Sequence, residues 1–227
     1  MSHSEEARDV VYGRNPVAEA RRGRRRVHRV WTSEDTDPAE LTRRAGSPDH
    51  QGTVAEVDPY PYADPGSLMR SADALVIALD QVQDPRNLGA ICRSAEAAGA
   101  SGVVICERRA AGVTAAAAKA SAGAVEHVPV ARVRNLTDWI AGAQQAGAWI
   151  YGADAAAELP YSTLDFSGRV VLVLGGEGAG IRPRVASACD ALISIPTVGK
   201  VGSLNVSAAA TVLLFAASRA RSGAAGS

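Results

Sequence analysis

The sequence has little cysteine, no long apolar segment and no excess charge of either sign. Its three cysteines, Cys92, Cys106 and Cys189, are far apart and form no CxxC pair. That argues against a disulfide framework or a zinc site and favours a reducing compartment. No apolar run approaches the roughly 20 residues needed to cross a bilayer, and the N-terminus lacks the apolar core of a signal peptide. We therefore expect a cytoplasmic protein.

The charge is balanced overall but unevenly distributed. The chain has 24 basic and 24 acidic residues, so its net charge of zero favours neither a nucleic-acid binder nor a membrane binder. A short stretch nevertheless concentrates positive charge: Arg21, Arg22, Arg24, Arg25, Arg26 and Arg29. Such a cluster is either a solvated helix face or a local field that attracts phosphates.

From residue 73 onward, continuous apolar runs alternate with helix-length segments. The runs predict strands at 75–79, 102–106, 127–130, 149–152, 170–174 and 192–195. The intervening stretches predict helices at 88–98, 115–121, 136–146, 183–188 and 204–217. This alternation is typical of an α/β fold in which helices cover both faces of a parallel sheet. Before residue 73 we predict a helix at 15–22, strands at 27–31 and 52–57, and a linker at 33–50.

Three polar or glycine-rich segments each follow a predicted strand directly: 84–93, 174–180 and 195–207. Ligands of open parallel sheets bind beyond the carboxyl ends of the strands, so these segments should meet at one edge of the sheet. Glycines in such loops let the backbone approach a ligand closely. The third segment also opens a helix, whose N-terminal end is electropositive.

The chemistry-bearing residues in these segments are Asn87, Arg93, Glu177, Ser203 and Asn205. Helix capping is an alternative explanation for Asn87, Glu177 and Ser203. For Arg93, which lies among small apolar residues, the alternative is a structural ion pair. The glycine-rich stretch has neither dinucleotide-loop spacing nor P-loop residues, and the carboxylate inside it favours a neutral or cationic ligand. Without a His, Cys or metal-ligand cluster, most hydrolytic and metal-dependent mechanisms are excluded, and no metal is expected.

Together, the three segments resemble the signature motifs of the SpoU (TrmH-type) RNA 2′-O-ribose methyltransferases of the SPOUT superfamily. The resemblance covers residues 75–217 and implies a deep C-terminal trefoil knot, an exception to the rule that chains avoid threading. It implies S-adenosylmethionine as cofactor, held by Leu174, Gly175, Ile195 and Leu204. Arg93 would take, or help to take, the proton of the ribose hydroxyl, and Asn87, Glu177, Ser203 and Asn205 would order the reactants.

The resemblance also implies an RNA substrate and a homodimer whose knotted domains pack together. Segments 12–17 and 50–52 resemble parts of the ribosomal-protein-like domain that precedes the catalytic domain in 23S rRNA guanosine methyltransferases. We therefore expect a shortened α/β RNA-binding region at 1–70, a catalytic domain at 71–219 and a flexible tail at 220–227. The expected substrate is 23S rRNA, then tRNA, and the alternative is a noncatalytic RNA-binding relative. Expected RNA contacts are Arg14, Arg24, Arg25 and Arg86.

Overall fold

The N-terminal part of the chain folds around a small antiparallel sheet. The computed structural model describes residues 8–199 and 202–224. The sheet has the order β1-β3-β2, and its strands and helices are β1 (Asp9–Tyr12), α1 (Arg14–Arg22), β2 (Val27–Thr32), α2 (Pro38–Ala45) and β3 (Thr53–Val57). Strand β1 was not predicted.

The predicted linker at 33–50 is wrong, because helix α2 lies within it. The Asp37 carboxylate accepts a hydrogen bond from the Ala39 N–H (2.8 Å), which caps the helix start. Gly46, with φ of 63°, ends the helix in the left-handed conformation that glycine adopts readily. Leu41 on this helix is fully buried in a small core of its own. The N-terminal region therefore has a folded middle, although it is short.

The larger part of the chain contains seven parallel strands in the order β6-β5-β4-β9-β7-β10-β8. In chain order the elements are β4 (Leu75–Asp80), α3 (Pro85–Ala97), β5 (Gly102–Cys106), α4 (Ala115–Ala120), β6 (Val130–Val133), α5 (Leu136–Gln145), β7 (Ala148–Ala153), β8 (Leu159–Pro160), β9 (Arg169–Gly175), α6 (Pro183–Ala186), β10 (Ala191–Ser194) and α7 (Val206–Ala224).

Both faces of this sheet are buried. In β4, Leu75, Ile77 and Leu79 belong to the core that includes α3, α4 and α7, whereas Val76 and Ala78 belong to the core on the opposite face with α5 and α6. This confirms the prediction of a parallel α/β fold with helices on both faces. The trefoil knot stays a prediction.

Several predicted boundaries are wrong, those of β6, α3 and α7 among them. Strand β6 begins at Val130 rather than 127, because a 3-10 turn occupies Ala124–Glu126. Helix α3 begins at Pro85 because Asp84 caps it, so Asn87 lies inside the helix and is not its cap. Helix α7 continues to Ala224, past the predicted end at 217 and into the segment predicted as a flexible tail. Residues 225–227, and Lys200 and Val201 of the third motif, lie outside the described residues.

Two arginines of the N-terminal cluster join the small sheet to the larger domain. The Arg25 side chain is buried and donates to the Glu126 carboxylate, from Nε over 3.1 Å and also from Nη2. Arg24 donates to the carbonyl oxygens of Glu126 and Val128 (3.3 and 3.2 Å) and to the Tyr60 hydroxyl (3.2 Å). The predicted RNA contact at Arg25 is therefore wrong, because its guanidinium group is buried against Glu126, whereas Arg24 is exposed and its RNA contact stays a prediction.

Among the helices of the described residues, none has the length and apolar character that a bilayer-crossing segment requires.

Candidate active site

The three polar segments meet at the carboxyl ends of β4, β9 and β10, and three side chains there form a hydrogen-bonded cluster. The Nδ2 groups of Asn87 and Asn205 both donate to Glu177 Oε1, over 2.8 and 2.7 Å. Asn205 Nδ2 also lies 3.2 Å from Asn87 Oδ1. In the described part of the chain Glu177 Oε2 has no hydrogen-bond partner, so one carboxylate oxygen is held while the other can accept a ligand's proton.

Asn205 also caps helix α7. Its Oδ1 accepts hydrogen bonds from the Ser207 N–H (2.8 Å) and the Ser207 hydroxyl (2.6 Å). The predicted cap was Ser203, whose hydroxyl makes no hydrogen bond within the described residues. The amide oxygen of Asn205 thus caps helix α7, and its amide nitrogen orients the Glu177 carboxylate.

A short glycine turn positions Glu177. The Gly176 N–H donates to the Asp80 carbonyl (3.0 Å), and the Gly180 N–H donates to the Gly176 carbonyl (3.1 Å). A Cβ atom at Gly175 would lie 1.9 Å from the carbonyl carbon of Gly180, so only glycine fits there. The turn is therefore packed tightly against the end of β4.

Asp80 fixes the chain just after this turn by binding Arg182. Its carboxylate is buried and accepts hydrogen bonds from the Arg182 backbone N–H (2.9 Å) and Nε (2.8 Å). The bond to Asp80 raises the pKa of the Arg182 guanidinium, which keeps it charged. Sequence reasoning missed this pair. Its one available signal was an aspartate that ends an apolar strand, and nothing local identifies the arginine that it binds.

Two cavities open on either side of the glycine turn. The first, about 340 Å³, is lined by Asp80, Gln81, Val82, Gln83, Asp84, Asn87, Gly176, Glu177, Ala179, Gly180 and Arg182. The second, about 510 Å³, lies between the ends of β7, β9 and β10 and the start of α7. Gly176, Glu177, Ala179 and Gly180 line both, so Glu177 stands on the wall that the cavities share.

All four residues predicted to hold the cofactor line the second cavity: Leu174, Gly175, Ile195 and Leu204. Ser203, Asn205 and Glu177 line it too. The cavity combines apolar side chains, glycine backbone and two carboxylates, those of Asp154 and Glu177. This lining fits S-adenosylmethionine, which has an adenosyl group and a cationic sulfonium.

Arg93 is not brought to either cavity. It lies on an exposed face of α3 and lines neither of the two cavities described above. Six residues of helix separate it from Asn87, about 9 Å along the axis. Arg86, seven residues before Arg93, is exposed on the same face of the helix, and Arg14 is exposed at the start of α1.

No group of three or more His, Cys, Asp or Glu side chains within residues 8–199 and 202–224 is arranged to hold a metal ion.

Comparisons with known proteins agree with this geometry. A model of the SpoU rRNA Methylase family matches residues 74–215. The Bacillus subtilis protein YacO, named as a TrmH family tRNA/rRNA methyltransferase, is 38% identical over 239 residues, which cover 94% of this chain and 96% of YacO. A Mycobacterium avium protein named as an uncharacterised tRNA/rRNA methyltransferase is 45% identical over 189 residues, covering 82% of this chain but only 61% of the relative.

Among solved structures, the SpoU methyltransferase AviRb from Streptomyces viridochromogenes, crystallised with AdoMet, superimposes with a TM-score of 0.80. The two chains are 26% identical, and the match covers 93% of this chain and 89% of AviRb. The matched region of the family model contains the Asn87, Glu177 and Asn205 cluster and all the described lining of the second cavity. The chain belongs to the SpoU rRNA Methylase family.

Proposed function

We propose that this protein transfers a methyl group from S-adenosylmethionine to a ribose 2′-hydroxyl of structured RNA. The observation that carries the proposal is Glu177, fixed between two asparagines on the wall that separates the two cavities. In this assignment the cofactor occupies the second cavity and the target nucleotide occupies the first. S-adenosylmethionine, when bound, supplies an electrophilic methyl group on a positively charged sulfur.

The chain's own contribution is alignment and a proton acceptor. Asn87 and Asn205 hold Glu177 Oε1, so Oε2 is left to accept a hydrogen bond from the ribose hydroxyl. Fixing the reacting groups in one geometry can account for much of the rate enhancement of a displacement reaction. Leu174, Gly175, Ile195 and Leu204 line the second cavity and would hold the cofactor there, with Ser203 beside it.

The residues that line the two cavities suit methyl transfer to a hydroxyl oxygen better than methyl transfer to a carbon atom of a base. Carbon atoms of pyrimidines are weak nucleophiles and are commonly activated by covalent attack from a cysteine. The lining of neither cavity contains cysteine, and Cys92 and Cys106 are buried elsewhere. An alcohol needs only alignment and removal of its proton, which the Glu177 cluster can assist.

We further propose that Arg93 acts from a second copy of the chain in a homodimer. Arg93 is exposed on α3, about 9 Å along the helix axis from Asn87, and it lines neither cavity of its own chain. Helix α7 buries Ala210, Leu213 and Leu214 in the core but leaves Phe215 47% exposed. That exposed aromatic side chain supports a helix-packed dimer that brings Arg93 to the partner's cluster. A guanidinium stays protonated and offers only donors, so it would position the ribose or a phosphate more readily than accept a proton.

Ribosomal RNA, 23S in particular, is the substrate that we propose first, with tRNA second, because relatives are named for both classes. Such a substrate would be met in the cytoplasm. The rival function is a noncatalytic RNA-binding protein that keeps the fold. The intact hydrogen bonds among Asn87, Glu177 and Asn205 favour the enzyme, because the cluster contributes little to the core.

The test uses methyl-labelled S-adenosylmethionine and total RNA from cells that lack this protein. Because 2′-O-methylation blocks alkaline hydrolysis of the adjacent phosphodiester, the label should appear in alkali-resistant dinucleotides. Label in mononucleotides would show base methylation and refute the 2′-hydroxyl assignment. RNA binding without any label would favour the noncatalytic alternative.

A further inference from the structure

The order of strands places arginines on one side of the first cavity. At the carboxyl edge of the sheet, the loops after β6 and β5 come first, then the first cavity after β4, then the glycine turn and the second cavity. The loops after β5 and β6 carry Arg108, Arg109 and Arg134, all exposed. Carboxylates line both cavities: Asp80, Asp84 and Glu177 the first, and Asp154 and Glu177 the second. The loops after β5 and β6 differ from both, because they carry three exposed arginines and one carboxylate, Glu107, which pairs with Arg134.

The loop after β5 is anchored at two points. The Ala111 N–H donates to the Val82 carbonyl (2.8 Å), and Val82 lines the first cavity. The Val113 N–H donates to the Tyr62 hydroxyl (2.9 Å), which also accepts from Arg132 Nη2 (2.6 Å). Anchoring a loop before its ligand arrives lowers the ordering cost of binding. The arginines in the loop are thus held beside the wall of the first cavity.

The backbone at Arg109 supports a binding role. Its φ of 55° lies in the left-handed region, which is uncommon for a residue other than Gly, Asn or Asp. An unfavourable conformation that the surroundings maintain is often found at ligand-binding sites. Arg108 and Arg109 have no carboxylate partner among the described residues, whereas the nearby Arg134 Nε lies 3.5 Å from the Glu107 carboxylate. Two unpaired guanidinium groups are therefore presented to solvent.

We infer that Arg108 and Arg109 bind the phosphate backbone of RNA next to the target nucleotide. This inference rests on the proposed function, because it assumes that the first cavity receives the target nucleotide. The planar guanidinium binds phosphate through two parallel hydrogen bonds. Arg25 is buried against Glu126 and is not available to RNA, so the inference assigns a phosphate contact to the loop after β5.

The test compares two double variants in RNA binding across a range of salt concentrations. The first is Arg108→Gln with Arg109→Asn, because asparagine tolerates the left-handed conformation. The control is Arg21→Gln with Arg22→Gln, which removes the same charge from the exposed end of α1. The probes are a fluorescent oligouridylate and a fluorescent RNA hairpin, followed by fluorescence anisotropy.

The logarithm of the association constant falls linearly with the logarithm of the salt concentration, and each lost phosphate contact should reduce the steepness of this fall by roughly 0.7 to 0.9. The slope of the first variant should therefore be less steep than that of the wild type by about 1.5. Its affinity should fall roughly tenfold at moderate salt, while the control changes little. An unchanged slope in a folded first variant would overturn the inference, as would an equal loss in both variants. If the double variant does not fold, Arg108→Gln alone should still lower the slope by about 0.7.

Binding and methylation separate this inference from the proposed function. Weaker binding by the first variant, with no methylation by the wild type on any RNA, would leave the phosphate contact standing and reject the enzyme. If the wild type methylates RNA and the first variant binds RNA with full affinity, the enzyme stands and the phosphate contact is rejected.

Discussion

The guanidinium of Arg25 and the carboxylate of Glu126 form a buried ion pair, 101 positions apart in sequence. Each side chain has 2% or less of its surface exposed. Arg25 lies between α1 and β2 of the N-terminal part, and Glu126 lies between α4 and β6 of the larger domain. The pair therefore fixes the two parts of the chain against one another.

Arg25→Ala should lower the stability of the whole protein. Removing one partner of a buried pair leaves the other charge uncompensated, at a cost of about 3 kcal/mol. Thermal unfolding should show a Tm lower by roughly 5 to 10 °C. Arg21→Ala, at an exposed arginine of the same cluster, should change the free energy of unfolding by less than about 0.5 kcal/mol. If Arg25→Ala unfolds at the wild-type Tm but binds RNA more weakly, then Arg25 contacts RNA and its structural role is refuted.

Glu177→Gln should lower turnover without lowering stability. Glutamine can still accept both asparagine amides through one oxygen, but the amide nitrogen that replaces Oε2 cannot accept the ribose hydroxyl proton. The expected loss in kcat is roughly 10²-fold or more. Glu158→Gln makes the same chemical change at an exposed carboxylate that lines neither described cavity, so it serves as the control. Wild-type kcat in Glu177→Gln would exclude Glu177 from the reaction.

The meeting of the three polar segments could be predicted from sequence because it follows from topology alone. Continuous apolar runs indicate parallel strands, and the loops after such strands share one edge. Helix α2 could not be predicted in the same way. It buries only Leu41, and the Asp, Pro and Ser residues around it are typical of loops as well as of helix caps.

The role of individual arginines was beyond sequence reasoning. Arg24, Arg25 and Arg26 are adjacent and chemically identical, yet only Arg25 is buried, because its partner is supplied by a distant part of the chain. For Arg93, apolar neighbours suggested a buried side chain. On the helix, Cys92 and Ala95 point to the core while Arg93 points to solvent. Helical geometry places neighbours in sequence about 100° apart, so the surroundings of one residue do not predict those of the next.

The native protein should resist thiol reagents at Cys92 and Cys106. Burial raises the pKa of Cys92 to about 12 and also raises that of Cys106. Both shifts reduce the fraction of reactive thiolate at pH 8 in the folded state, and burial blocks access as well. Alkylation followed by mass spectrometry should show both sites modified only after unfolding.

Buried thiols react only when the protein opens, and a less stable protein opens more often. The cysteines of Arg25→Ala should therefore be labelled faster than those of the wild type under native conditions. Rapid labelling of native wild-type protein at Cys92 would contradict the described packing of α3.

Arg93→Ala should lower turnover by two or more orders of magnitude, within the range of about 10²–10⁴ for groups that assist proton transfer, with cofactor affinity nearly unchanged.

If Arg93 acts on the partner's cluster, then Arg93→Ala and Glu177→Gln are each inactive alone but complement each other when mixed. One site of the mixed dimer then receives an intact Arg93 from one chain and an intact Glu177 from the other. Activity that appears only after the two variants exchange subunits would establish action between chains. If Arg93 acts within its own chain, every site of the mixed dimer carries one defect and the mixture stays inactive. Phe215→Glu supplies the control, since a charge on this exposed aromatic position should separate the subunits and abolish complementation, with light scattering reporting the monomer.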